Sequence, residues 1–345
     1  MRLGVVGTNF GRFVHVPAFR SNPRCRVVAL AGTDAARTSE LARDAAISKG
    51  YGNWRALIED PEVDAVAIAV PPAQQPEIAI YSLTLGKPVF AEKPLAASLD
   101  DARAMADMAG RSGLTAMVDF EFTMIPAWQR AKELVESGAL GSLSHVTVRW
   151  EMESRAIRHR KWSWKTSTEE GGGVIGNFVS HSFHYLEWLA GPISGLSARV
   201  FRLPGVDAKV DSMAAIAFAF ASGASGSLSV SCASFLGSGH RIELCGTDGA
   251  LVIMNESPNC MGGFKLLLSG KTYDDCVPVP LDDPFEAQDL LVDDRTGPVS
   301  RLVTRFIDSI EAGAPGYPSF QDGLRVQKLI DAALQSHSDG GWKKV

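Results

Sequence analysis

"RLGVVGTNFGRFVHVPAFR", Arg2 to Arg20, decides the fold class. Leu3, Val5 and Val6 form an apolar run ending in Gly7, as in a buried parallel strand. A helix is predicted from about Phe10 to Arg20. A strand that turns on a glycine into a helix is the first unit of a doubly wound sheet. At this turn a dinucleotide fingerprint, G-x-G-x-x-G, spends one glycine on the turn, one on pyrophosphate approach and one on helix packing. Here Gly7 takes the first place, Asn9 the second and Arg12 the third, with Gly11 one position early. Asn is the non-glycine residue that best tolerates a left-handed backbone. The context points to dinucleotide binding by Gly7, Thr8, Asn9, Phe10 and Gly11; an ordinary glycine turn is the alternative.

The alternation continues outward. "RVVALAG" is a second strand, and Asp34 can cap a helix through Ala46 with Leu41 and Ala45 on its apolar face. "DAVAIAV", Asp64 to Val70, is a third strand, closed by Pro71 and Pro72 and followed by a helix from about Gln75 to Leu85. "PVFA" is a fourth. Ser98 is a predicted N-cap, with Asp101 three residues on, for a helix to Arg111. "LTAMVDF" is another strand. After Asp119 the pattern changes. A helix from Pro126 to Ser137 ends at Gly138, and "SLSHVTVRWEME", "LSARVFRL", "SMAAIAFAFASG", "ASGSLSVSCASF", "HRIELCGTDGALVIM" and "GFKLLLSG" alternate with period two. They predict an antiparallel sheet, and two amphipathic helices close the chain. The fold expected is α/β. A Rossmann-type doubly wound parallel sheet takes residues 1–120, and an α+β domain with a large open, mainly antiparallel sheet takes 121–345. The terminal helices can pack back on the first domain.

Size and composition narrow the function. A chain of 345 residues is long enough for two domains. A net charge of −5 leaves no basic footprint for nucleic acid. No apolar run approaches the roughly 20 residues of a membrane helix. "MRLGVVG" enters a strand at once, with no room for a signal peptide. Cys25, Cys232, Cys245, Cys260 and Cys276 are scattered, with no C-x-x-C pair. They read as reduced thiols of a cytoplasmic protein, with no metal site expected.

The second strand ends without the acid that usually holds the ribose of NAD. Gly32 does not repel a 2′-phosphate, and Thr33 and Arg37 could hold one, which favours NADP over NAD. Val70, Pro71 and Gln75 are expected on the same cofactor. In "GKPVFAEKPLAAS" the apolar strand runs into Glu92 and Lys93, either a structural ion pair or chemistry at the ligand end of the sheet. Asn177, His181, His184 and Trp188 fall at i, i+4, i+7 and i+11, one stripe of a predicted helix. The loop "ESRAIRHRKWSWKTSTEEGGG" before it carries five Arg/Lys, with Trp162 and Trp164 among them. It is either a solvated loop or a cover that would suit an anionic, sugar-like substrate.

With "GVVGTNFG", "AEKP" and "GGGVIGNFVSH" in this order, the chain resembles the Gfo/Idh/MocA oxidoreductases, over nearly its whole length. The namesakes are glucose–fructose oxidoreductase and inositol dehydrogenase. The resemblance implies an NAD- or NADP-dependent enzyme acting on sugars or cyclitols. It also implies a homodimer or homotetramer built through the second-domain sheet. Its usual catalytic set is the Lys of E-K-P with an Asp and a His on the second-domain helix. Lys93 and His181 match, but Asn177 replaces the Asp. Gln74 and Gln75 stand where members often carry a His, and the glycine fingerprint is altered.

In this light Lys93 would stabilise charge on a substrate oxygen, Glu92 would orient Lys93, and His181 would exchange the proton. Glu121, Trp162, Trp164, Lys165, Asn177, His181 and His184 are the candidate substrate contacts. Trp128 reads as core. Two other readings stand beside the dehydrogenase. One is a dinucleotide-binding sensor with little catalysis. The other is an enzyme that retains its cofactor and performs elimination, hydrolysis or epimerisation by transient oxidation.

Overall fold

The computed structural model describes residues 1–159, 163–202, 210–257, 261–270, 275–281 and 293–345. The chain divides into two units, Met1–Glu121 with Ala287–Gln327, and Phe122–Glu286 with Lys328–Val345. No helix among the described residues is long and apolar enough to cross a membrane.

The first unit is built on β1 (Arg2–Val6), β2 (Arg26–Ala31), β3 (Lys49–Tyr51), β4 (Ala65–Ile68), β5 (Val89–Ala91) and β6 (Ala116–Val118). All pair in parallel, in the order β3-β2-β1-β4-β5-β6. The chain order reverses beside β1, the switch point at which such sheets bind ligands. Strand β3 and the helix Trp54–Glu59 went unpredicted. Strand β3 is three half-buried residues around Gly50, with no apolar run to announce it. The helix Ala35–Asp44 has the expected cap, Asp34 accepting from the Arg37 N–H at 2.9 Å. Its buried face is Thr38 and Ala42, not Leu41 and Ala45. The helix lies so close to β3 that a Cβ on Gly50 would meet Ser39 Cα at 2.6 Å, so small residues must face the sheet. Ser98 caps the helix Leu99–Ser112 as predicted, accepting from the Asp101 N–H.

The helix Thr296–Glu311 belongs with this unit although it lies far along the chain. Phe306 packs its ring 6.2 Å from Phe19 and 5.6 Å from Phe90, and Arg24 pairs with Asp308 and Glu311.

Among the described residues the second unit holds a nine-stranded sheet. Its strands are β7 (Leu143–Glu151), β8 (Ile193–Phe201), β9 (Met213–Phe220), β10 (Ser225–Ser231), β11 (Gly239–Gly246), β12 (Gly249–Asn255), β13 (Lys265–Gly270), β14 (Val277–Pro278) and β15 (Lys343–Lys344). Their order is β14-β13-β12-β11-β7-β10-β9-β8-β15. The sheet is mixed. Strands β10 and β7 pair in parallel, a long-range pairing that alternation cannot reveal, and the other neighbours are antiparallel. Strand β9 buries Ile216, Phe218 and Phe220 on one face and turns Ala215, Ala217 and Ala219 to the other.

An aromatic core fixes this unit. Trp150 of β7 stacks on His240 of β11, with centroids 4.3 Å apart and planes 6° from parallel. The Tyr185 hydroxyl donates to Ser182 Oγ at 2.8 Å and lies 3.0 Å from His240 Nε2. Burial pushes His240 down to about 3. That lies below its ordinary value of 6.5, so the unfolded chain takes up a proton that the folded chain refuses. Stability from this group is complete above pH 6.5 and is lost as the pH falls toward 3, by about 1.4 kcal/mol per pH unit. We expect His240→Gln to lower stability at neutral pH but to flatten its decline below pH ~6.5. Denaturant unfolding at several pH values checks this, and an unchanged slope contradicts it.

Candidate functional site

The carboxyl ends of β1 and β2 form the nucleotide end of the first unit. Gly7 sits at φ 121°, and a Cβ there would meet the Ala69 carbonyl oxygen at 2.2 Å. A Cβ on Gly11 would meet Val5 Cγ1 at 2.9 Å, so Gly11 performs the close helix–strand packing that the fingerprint assigns to the place held by Arg12. Asn9 does not adopt the left-handed backbone that its type allows. Among the described residues only Ala46 and Leu236 combine a side chain with positive φ. Asn9 is exposed, and its carbonyl accepts from the N–H groups of Arg12 and Phe13. Thr8, Asn9, Arg12, Thr33, Asp34 and Arg37 line a cavity of about 420 Å³. Phe10 is half-buried beneath the Arg295 guanidinium, 4.8 Å from the ring centre.

A Cβ at Gly32 would stand 2.5 Å from Thr38 Oγ1 and 2.8 Å from Thr8 Cγ2. An acidic side chain therefore cannot occupy this strand end without displacing both threonines. Asp34 is committed to its helix cap. The glycine cradle and the cationic cavity beside it fit a dinucleotide. Val70 and Pro71 follow β4, half-buried. Gln75 is fully buried, and its side-chain amide donates to the carbonyls of Glu92 and Pro94 at 2.9 and 2.8 Å. Its amide nitrogen thus braces the turn that carries Lys93, a different task from the cofactor contact expected of it.

That turn is where the charges gather. Glu92 follows β5 and Asp119 follows β6, adjacent strand ends. Both carboxylates converge on one imidazole nitrogen. His15 Nε2 lies 2.8 Å from Glu92 Oε1 and 3.4 Å from Asp119 Oδ2. The His15 ring is enclosed by Phe10, Phe19 and Phe90. Burial presses His15 toward its neutral form, but the nearby Asp119 carboxyl and the hydrogen bond and charge of Glu92 outweigh this and lift it to about 9. Burial and then the Glu92 charge raise Asp119 to about 7. Burial also opposes charge on Glu92, yet the His15 bond and the His15 and Lys93 charges hold it below the usual carboxylate range. Glu121 is raised well above that range by burial and by Asp119. Burial lowers Lys93, against the opposing pull of Glu121, Glu92 and Asp119.

The second unit supplies the other candidates. A π turn, Ile175–Val179, leads into the helix Ser180–Ala190. Such turns recur at functional sites. Asp211 holds its start, accepting from the Ile175 N–H through Oδ2 at 3.0 Å and from the Val174 N–H through its carbonyl. The segment that carries the predicted stripe is buried from Val174 to Leu186, and Asn177, His181 and His184 are each about 5–6% exposed. The His181 ring lies 4.9 Å from Phe122 and 6.3 Å from Trp150. Burial pushes His184 down to about 3, so it is neutral near pH 7 and can offer only a neutral hydrogen bond. Trp128 is core, as predicted. Trp164 and Lys165 lie half-buried on a short turn, Trp164–Thr166. Trp162 lies outside the described residues.

Lys93, Glu92 and Glu121 thus share the first unit with the nucleotide end, while Asn177, His181, His184, Trp164 and Lys165 belong to the second. Sequence reasoning missed His15, Asp119 and the cavity role of Arg12. Asp119 carried one usable signal, an acid closing an apolar strand.

Known proteins agree with this architecture. The family model for an oxidoreductase family with an NAD-binding Rossmann fold matches residues 1–120, and the GFO/IDH/MocA C-terminal domain model matches residues 128–252. An uncharacterized oxidoreductase of Synechocystis, sll0816, is 31% identical across 100% of this chain and 96% of its own. Levoglucosan dehydrogenase of Pseudarthrobacter phenanthrenivorans is 25% identical across 100% of this chain and 98% of its own. The crystal structure of an oxidoreductase domain protein from Kribbella flavida superposes with a TM-score of 0.89 at 27% identity, covering 99% of this chain and 98% of that one. With an NAD-binding Rossmann unit and a matching second domain, the chain belongs to the GFO/IDH/MocA family of oxidoreductases.

Proposed function

We propose that the protein is a dehydrogenase or reductase acting on a CH–OH group of a sugar, cyclitol or sugar derivative, with NADP preferred over NAD. The observation that carries this reading is Lys93, an ammonium held among carboxyl groups at the ligand end of a dinucleotide-type sheet. The similarity to levoglucosan dehydrogenase supports a sugar-like substrate. When bound, the nicotinamide supplies the hydride acceptor or donor. Lys93 Nζ polarises the substrate oxygen on which negative charge builds, and His181 exchanges the proton at a ring nitrogen. Asn177 offers an amide that can both donate to and accept from a substrate hydroxyl. Trp164 and Lys165 suit the apolar face and an anionic group of a sugar derivative.

Cofactor preference rests on the cavity, where Arg12, Arg37 and Thr33 can meet a 2′-phosphate and Gly32 admits no acid to repel it. Calorimetry is expected to show tighter binding of NADP than NAD. Arg37→Ala should weaken NADP by about tenfold or more and leave NAD nearly unchanged. Equal affinities in the wild type contradict the preference.

Chemistry is tested by a sugar and polyol panel. Lys93→Ala should abolish turnover with cofactor affinity nearly intact, because a contact to developing charge acts on kcat. His181→Ala should slow turnover by about 10²–10⁴-fold. Asn177 favours a second reading, a dinucleotide-binding sensor, because it cannot carry the charge of the usual Asp. Cofactor binding without turnover, and no gain from Asn177→Asp, would establish that reading instead.

The alanine face of β9 supports self-association through the second-unit sheet. Light scattering at micromolar concentration should report a dimer or tetramer, and a monomer refutes it.

A further inference from the structure

Two carboxyl groups on one imidazole nitrogen is more than an orienting Glu needs. Glu92 alone bonds His15 at 2.8 Å, yet Asp119 is brought to 3.4 Å of the same atom from the neighbouring strand end. Asp119 is 1% exposed and His15 is fully buried, so neither charge is there for solvent. Lys93 is the residue after Glu92, and its ammonium feels the charges of Glu121, Glu92 and Asp119. We propose that Asp119 is a positioning residue for Lys93, a carboxyl that shares His15 with Glu92 and sets the charge state of the neighbouring ammonium. This rests on the reading of Lys93 as the group that meets the substrate oxygen.

The physical argument is one of charge balance in a confined space. Two carboxylates sharing a site cannot both ionise at the ordinary value, and one of them is raised. The raised partner is Asp119, lifted to about 7 by burial and then by the Glu92 charge, while Glu92 keeps the hydrogen bond to His15 and the Lys93 charge beside it. The titratable and charged groups around Asp119 and Lys93 are His15 from the turn after β1, Glu92 after β5, Glu121 after β6, and Arg295 before the helix Thr296–Glu311. Below about pH 7 Asp119 is neutral and Lys93 loses its proton more readily. Above it the new negative charge holds that proton on. Asp119 thereby keeps Lys93 an ammonium through the range in which burial would discharge it. A lysine that lost its charge could no longer stabilise developing negative charge on oxygen.

The test reads Lys93 directly and needs no substrate, so it can fail while the proposed reaction stands, and the reverse. Trace acetylation with acetic anhydride, followed by mass spectrometry, measures the reactivity of Lys93 from pH 6 to 10, with exposed Lys328 as internal standard. Only the neutral amine reacts. In Asp119→Asn, Lys93 should react about tenfold faster than in the wild type at pH 8, and equally at pH 6. His15→Gln removes the cation that Asp119 and Glu92 share, so Lys93 should react no faster than in the wild type. Curves that superimpose above pH 7 overturn the proposal. So does equal acceleration in both variants, which would mean that either substitution merely loosens the turn. Should Asp119→Asn not fold, the wild-type curve decides: a shoulder near pH 7 supports the proposal, and a single smooth rise ends it.

Discussion

A lysine ammonium at the end of an apolar strand is out of place unless something compensates its desolvation. Much of the first unit answers that demand. Strands β5 and β6 end side by side, so Glu92 and Asp119 emerge together. The helical turn after β1 delivers His15 between them, and Gln75 ties down the backbone on which Lys93 stands. Three aromatic rings around His15 keep water from weakening these interactions. The parallel sheet is the means of convergence: its pairing sets neighbouring strand ends in register, and it places them where ligands bind.

The second unit works by the opposite principle. Burial holds its histidines at 184 and 240 neutral. His15 is thus kept charged by the carboxyl groups around it, whereas burial keeps His184 and His240 from ionising. For the chemistry this matters, because a buried neutral imidazole is a shape and a hydrogen bond, whereas the paired one is a charge. In the proposed reaction the proton exchange falls to His181, while burial keeps His184 and His240 neutral.

Much of the fold was legible because local rules carried it. The caps at Asp34 and Ser98, the buried runs of β1, β2 and β4, and the alternation of β9 each depend on residues a few positions apart. What escaped was long-range or small. The parallel pairing of β7 with β10 joins segments about eighty residues apart, and β3 is too short to show a period. Lys93 and Glu92 could be singled out because adjacent charges interrupt an apolar strand. His15 could not, because it looks like an isolated polar residue, and Asp119, an acid closing an apolar strand, gave no hint of its partner until the sheet brought both carboxyl groups onto one nitrogen. Asn9 misled because its type permits a backbone that the site does not use.

Among the described residues the nine-stranded sheet finishes, on either side, in a two-residue strand. On one side stands Val277–Pro278 and on the other Lys343–Lys344. A proline has no N–H to offer a further strand, and lysines make poor neighbours for apolar chains. Such short borders give another chain little to lengthen, so the sheet is protected against templated growth by backbone addition. Its exposed face can then be smooth and rich in alanine without inviting amyloid-like stacking along the ladder.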